Sequence, residues 1–189
     1  GAEHGIDVCY GRELGVDFPV AQMTERLGPP LEHLLADHLP PDQVGPAGDR
    51  FRALYPGHAI AMVPTLPGAR EAIAAVRRHA GRVLVVTGKY APNARLHLDH
   101  LGLEVDRLEG WVWGTGKADV LREEGAGVYV GDHVHDVEGA RAAGALSVSV
   151  LTGGCERAEL LDAGTDVVLT SLHEFPDWLD DHVAERPAS

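Results

Sequence analysis

The spacing of hydrophobic positions changes about a third of the way along the chain. Over residues 1–61 they recur at helical intervals, as Ile6, Cys9, Tyr10 and Leu14 do, with Gly15 as a stop. Further helices are predicted over Val20–Leu27, closed by Gly28-Pro29-Pro30, and over Leu31–Leu39, closed by Pro40-Pro41. A fourth starts near Asp42 or Asp49 and carries Phe51, Leu54 and Tyr55. After Pro64 the pattern turns to short apolar runs alternating with amphipathic segments. The predicted strands are Arg82–Thr87, Glu109–Trp113, Val128–Val130, Leu146–Leu151 and Asp166–Leu169. Helices are predicted between them from Pro67 to His79, Pro92 to Leu101, Lys117 to Glu124, Val134 to Ala143, Glu156 to Ala163 and Leu172 to His182. Strands alternating with helices predict an α/β fold, a doubly wound parallel sheet buried on both faces. The expected organisation is a small helical domain over residues 1–62, an α/β core over 63–185 and a disordered tail over 186–189. Trp111 and Trp113 alternate as strand residues do, which predicts packing in the core or at a domain interface.

Polar residues cluster where three of these elements begin or end. Thr87 closes the run Val83-Leu-Val-Val and is followed by Gly88-Lys89. A hydroxyl with free backbone N–H groups at a strand's carboxyl end can hold a phosphate oxygen, although a plain turn would look the same. Lys117 stands in the first turn of a predicted helix, where a cation opposes the helix dipole unless an anion binds nearby. Its setting, Gly114-Thr-Gly-Lys117, lacks the GxxxxGK[ST] spacing of a nucleotide loop, and that reading is rejected. Asp132 and Asp136, four positions apart, follow the strand Val128-Tyr-Val-Gly. Ligands of open α/β sheets bind at the carboxyl ends of strands, and paired hard oxygen ligands there suit Mg²⁺. Helix capping and first-turn charge are the ordinary alternative for these two carboxylates. His133 and His135 invite a zinc site, but no third ligand stands at a fixed spacing, so they read as loop or outer residues. Thr152-Gly-Gly-Cys155 follows another strand end and would rim the same cleft.

Composition narrows the partners. The 189 residues carry a formal net charge of −13, which disfavours nucleic acid and anionic membranes. Cys9 and Cys155 are isolated, without metal spacing, which fits reduced thiols in a cytoplasmic protein. No apolar run approaches the roughly 20 residues of a membrane span, and the amino terminus is too polar for a signal peptide. An overall negative chain needs local cations to attract an anionic substrate.

The order of hydroxyl strand end, lysine and Gly-Asp-x-x-x-Asp strand end resembles the haloacid dehalogenase superfamily. Thr87 matches the family's hydroxyl motif, Lys117 its basic motif, and Gly131-Asp132…Asp136 its acidic motif. The resemblance extends to Pro64-Thr-Leu-Pro67-Gly68, to Asp136-Val-Glu-Gly-Ala-Arg141-Ala-Ala-Gly and to Ala163-Gly-Thr-Asp166-Val-Val, and spans roughly residues 64–182. The phosphoglycolate-phosphatase-like branch is the most similar. The resemblance implies a Rossmann-like core with a small helical cap, and Mg²⁺-dependent hydrolysis of a small phosphate monoester through an aspartyl-phosphate. It implies Asp132 and Asp136 around Mg²⁺, Thr87 and Gly88 on the transferring phosphoryl group, and Lys117 neutralising charge. Arg12, Arg26 and Lys89 could read the anionic end of the leaving group. A monomer or homodimer is expected.

One part of the family pattern is missing. Its nucleophile stands in an Asp-x-Asp motif at the end of the first core strand, ahead of the cap, yet Asp7 and Asp17 follow no apolar run and have no second aspartate. Without the attacking and protonating aspartates the chain is expected to be inactive by that route. The missing strand would lie mid-sheet, between the Thr87 and Val128 strands, leaving unpaired backbone groups that cost about 1–3 kcal/mol each if buried. About 15–20 residues of a natural amino terminus are therefore expected ahead of Gly1. The alternatives are a catalytically inactive binding or scaffold protein, or another activity of the family such as a phosphomutase or dehalogenase.

Overall fold

The computed structural model describes residues 31–60 and 65–185. The helices predicted over Ile6–Leu14 and Val20–Leu27, with Arg12, Arg26, Cys9, Pro64 and the tail, lie outside the described residues. The chain divides into two compact units, one from residues 1–64 and 87–104, the other from 65–86 and 105–189.

The first unit is helical where it is described: α1 (Leu31–Ala36), α2 (Pro41–Ala59) and α4 (Ala91–Leu101). Pro41 opens α2, where its missing N–H is harmless. Leu34, Leu35 and Leu39 pack on Ala47, with Val44, Phe51 and Leu54 around them. Burying each such leucine contributes about 1.5–3 kcal/mol. Gly102 ends α4 in the left-handed conformation that glycine adopts without a Cβ clash.

The second unit is a layered α/β structure. Its elements are α3 (Ala69–Arg78), β1 (Leu84–Val86), β2 (Arg107–Glu109), α5 (Thr115–Glu123), β3 (Val128–Gly131), α6 (Val134–Ala143), β4 (Leu146–Val150), α7 (Arg157–Asp162), β5 (Val167–Leu169), a 3₁₀ turn (Leu172–Glu174) and α8 (Phe175–Ala184). All pairings are parallel: β1 with β2, and β3–β4–β5 in that order. Period-2 alternation divides the three-stranded sheet into two faces. Val128, Val130, Leu146, Val148, Val150, Val167 and Leu169 join Ala72, Ala75 and Val76 of α3 and Phe175, Trp178 and Leu179 of α8 in one core. Tyr129, Gly131, Ser147 and Ser149 occupy the other face, on the side of α6.

Two expectations meet a sharper result. Among the described residues no ladder joins β1 to β3, so the described strands form two parallel sheets rather than one continuous sheet. Glu109–Trp113 is not a strand beyond its first residue. Register pairs Val86 with Glu109, the last residue of each strand, so residues 110–113 have no ladder partner. Trp111 then turns to φ 59°, and Trp111 and Trp113 are 51% and 36% exposed rather than packed inside.

Polar residues tie the unit together. Ser147 and Ser149 are buried in β4, and their hydroxyls meet Thr165 Oγ1 at 3.2 and 2.9 Å. Thr165 Oγ1 also lies 3.1 Å from the Ser147 carbonyl, to which it donates. Thr165→Val keeps the shape but orphans these groups, and is expected to cost about 1–3 kcal/mol in a urea titration. Asp106 accepts the Val83 N–H and an Arg77 N–H, each at 2.6 Å, clamping the starts of β1 and β2 to the end of α3. The Val83 N–H, then Arg77, hold its carboxyl below the usual carboxylate range. A depressed carboxylate stabilises the fold above its unfolded pKa, near 3.9, and that contribution disappears as pH falls through the folded value. Asp106→Asn should therefore flatten the acid limb of the stability curve below about pH 4. Thermal scans between pH 2 and 7 measure this.

Candidate active site

The site is built where β3 hands over to α6. His133 opens the helix as its N-cap, its Nδ1 accepting the His135 N–H at 3.1 Å. Gly144, at φ 74°, closes it. α6 is thus capped at both ends, and its first turn carries Asp136.

Asp136 is 8% exposed, so its charge needs donors. Lys117 Nζ donates to Oδ1 at 2.5 Å, the Tyr129 hydroxyl to the same oxygen at 3.2 Å, and the Asp132 N–H to Oδ2 at 3.2 Å. The lysine that opposes the dipole of α5 thereby meets its anion across the α5–α6 packing. Small side chains permit this approach: a Cβ on Gly139 would stand 3.3 Å from Lys117 Cβ. On β3, a Cβ on Gly131 would fall 2.3 Å from Asp136 Cβ, so only glycine fits before Asp132. Burial first, then the negative charge of Asp136, pushes the Tyr129 hydroxyl well above its usual range. Tyr129 stays protonated and keeps donating.

Asp132 is different. It is exposed, at the carboxyl end of β3, and no described residue donates a hydrogen bond to its carboxylate. A carboxylate that keeps its lone pairs free fits a hard cation that binds one or two carboxylates plus phosphate. Asp136, with both oxygens engaged, fits as its support. Among the described residues no group of three or more His, Cys, Asp or Glu could hold a metal ion. The His133 and His135 rings are tilted by 42° with centroids 4.7 Å apart, and His135 turns its Nδ1 to Glu138 at 2.9 Å.

The structure brings Lys117, Asp132 and Asp136 together in one unit, and places Thr87, Gly88 and Lys89 in the other. There the Lys89 N–H donates to Thr87 Oγ1 at 3.1 Å, which leaves the hydroxyl proton to point elsewhere. Lys89 Nζ donates to the Tyr55 hydroxyl at 2.6 Å, and Tyr55, buried on α2, meets His97 Nε2 at 2.9 Å. Tyr129, Tyr55 and His97 carried no signal in the sequence beyond their helical or strand period.

Comparison with known proteins gives this geometry its family. A family model for haloacid dehalogenase-like hydrolase matches residues 31–141, and one for HAD-like hydrolases matches 117–175. The chain belongs to the haloacid dehalogenase-like hydrolases. A predicted phosphatase from Clostridium acetobutylicum superposes with a TM-score of 0.75 at 17% identity, covering 95% of this chain and 92% of that one. A HAD family hydrolase from Deinococcus radiodurans, with bound phosphate and sodium, superposes at 0.65 and 22% identity, covering 100% and 92%. These likenesses establish the HAD fold. Tyrosine-protein kinase PtkA of Mycobacterium tuberculosis is 30% identical over 176 residues, or 83% of this chain, which spans 58% of that relative's length. No described helix of this HAD-like hydrolase is long and apolar enough to cross a membrane.

Proposed function

We propose that this HAD-like hydrolase is a Mg²⁺-dependent phosphatase of a small phosphate monoester, working through an aspartyl-phosphate. The observation that carries the reading is Asp132, an exposed carboxylate at a strand's carboxyl end to which no described residue donates, beside a buried lysine–aspartate pair. Mg²⁺, when bound, supplies a Lewis acid for the phosphoryl oxygens. Asp132 holds it. Asp136 fixes Lys117, whose remaining N–H bonds offset negative charge as the phosphoryl group transfers. As the family resemblance implies, Thr87 and the amides around Gly88 would serve the phosphoryl oxygens, the helical cap would select substrate, and Lys89 would read the anionic end of the leaving group. No described strand ends in Asp-x-Asp, so the attacking carboxylate is sought outside the described strands.

p-Nitrophenyl phosphate hydrolysis tests this, with the 189-residue chain and with any sequence encoded upstream of Gly1. Turnover that needs Mg²⁺ and stops with EDTA is expected in the form carrying the nucleophile. Full activity in EDTA sinks the metal role, and no turnover in either form supports the scaffold reading. The identity to PtkA, named a tyrosine-protein kinase, favours one second reading, phosphoryl transfer to a protein tyrosine. Label transferred from [γ-³²P]ATP to tyrosine, without phosphomonoester hydrolysis, selects it.

A further inference from the structure

The loop after β4 approaches the site from a direction that β3 and α6 do not control. Gly153 lies in it, and a Cβ there would fall 2.4 Å from Asp132 Oδ2 and 2.6 Å from Asp132 Cβ and Cγ. All three lie under the 3.0 Å that real Cβ atoms respect, so the Asp132 side chain rests flat on bare backbone. Its neighbour Gly154 has nothing within 4 Å of the same imaginary atom. Neither glycine has a positive φ, so alanine is conformationally admissible at both.

An exposed carboxylate to which no described residue donates has several staggered rotamers available. Packing against Gly153 removes some of them at no polar cost. Asp136 reaches only the Asp132 backbone N–H, and so fixes the start of α6 but not the carboxylate.

We propose that Gly153 is a positioning residue for the Asp132 carboxylate, and that the absent Cβ is the space in which the candidate metal ligand is oriented. The inference rests on the metal reading of Asp132 for its consequence, though not for its geometry. Rotation about χ1 would clear Asp132 Oδ2 and Cγ but leave Cβ 2.6 Å away, so a side chain at 153 must also shift the backbone on one side of the contact, and the packing that orients the carboxylate is lost.

Paired alanine substitutions test this. Mn²⁺ affinity, read by electron paramagnetic resonance, should weaken at least tenfold in Gly153→Ala and stay within twofold in Gly154→Ala. Equal effects of the two changes, or wild-type affinity in Gly153→Ala, overturn the proposal. Melting temperatures give a readout free of metal. Gly153→Ala should lower Tm in the wild-type background and not in Asp132→Gly, which removes all three crowded atoms. An unaltered Tm penalty in that background assigns the cost to the loop itself and overturns the proposal. Wild-type protein that binds no Mn²⁺ overturns the metal reading, while the Tm cycle still decides whether Gly153 acts through Asp132.

Discussion

In the form that carries the nucleophile, Asp132→Asn should abolish Mg²⁺-dependent phosphatase turnover and leave the fold intact. The amide keeps the size of the side chain against Gly153 but loses the charge that holds a divalent cation. A metal acting as Lewis acid supplies several kcal/mol of transition-state stabilisation, and each 1.4 kcal/mol is tenfold, so the loss should be roughly a hundred- to ten-thousandfold in kcat/KM. Stability is governed by different terms. Asp132 is exposed and accepts no described hydrogen bond, so the change should stay within about 0.5 kcal/mol. Steady-state kinetics beside a thermal scan checks both halves. Retained activity with unchanged Mg²⁺ dependence removes Asp132 from the metal site.

Lys117→Met should show the reverse balance, a large fall in stability together with lost activity. The pair is shielded, with side-chain exposures of 15% for Lys117 and 11% for Asp136. Removing one partner of a buried pair leaves an uncompensated charge and costs about 3–5 kcal/mol; the residual exposure here points to the lower end. For a chain of this size each kcal/mol moves Tm by about 2–4 °C, so a fall of roughly 6–12 °C is expected. Replacing both partners with apolar side chains of similar volume is often neutral or stabilising. Lys117→Met with Asp136→Leu should therefore recover much of the Tm without recovering activity. A double variant as unstable as the single one would show that the site depends on Asp136 accepting from Tyr129 and the Asp132 N–H rather than on the charge pair.

Much of this arrangement was legible in one dimension, because its determinants are local. Alternation and helical period report which side of an element meets apolar surroundings, and so placed β3, α6, β4 and α3 to within a residue or two. Gly144 and Gly102 marked the ends of α6 and α4, since a left-handed residue is needed there and glycine supplies it. The Glu109–Trp113 reading failed for a reason no local pattern contains. A strand needs a neighbour, and β1, its neighbour, stops at Val86.

The same division runs through the site. Chain order alone identified Asp132, Asp136 and Lys117 as polar residues at element ends. Which oxygen each donor takes was decided in three dimensions, because Lys117 reaches Asp136 from α5, Tyr129 from β3 and the Asp132 N–H from the turn that follows β3. That convergence leaves Asp136 with both oxygens engaged, while no described residue donates to the Asp132 carboxylate. The space left by Gly153 beside Asp132 follows likewise from packing between segments about twenty residues apart, where the informative feature is an atom that glycine lacks.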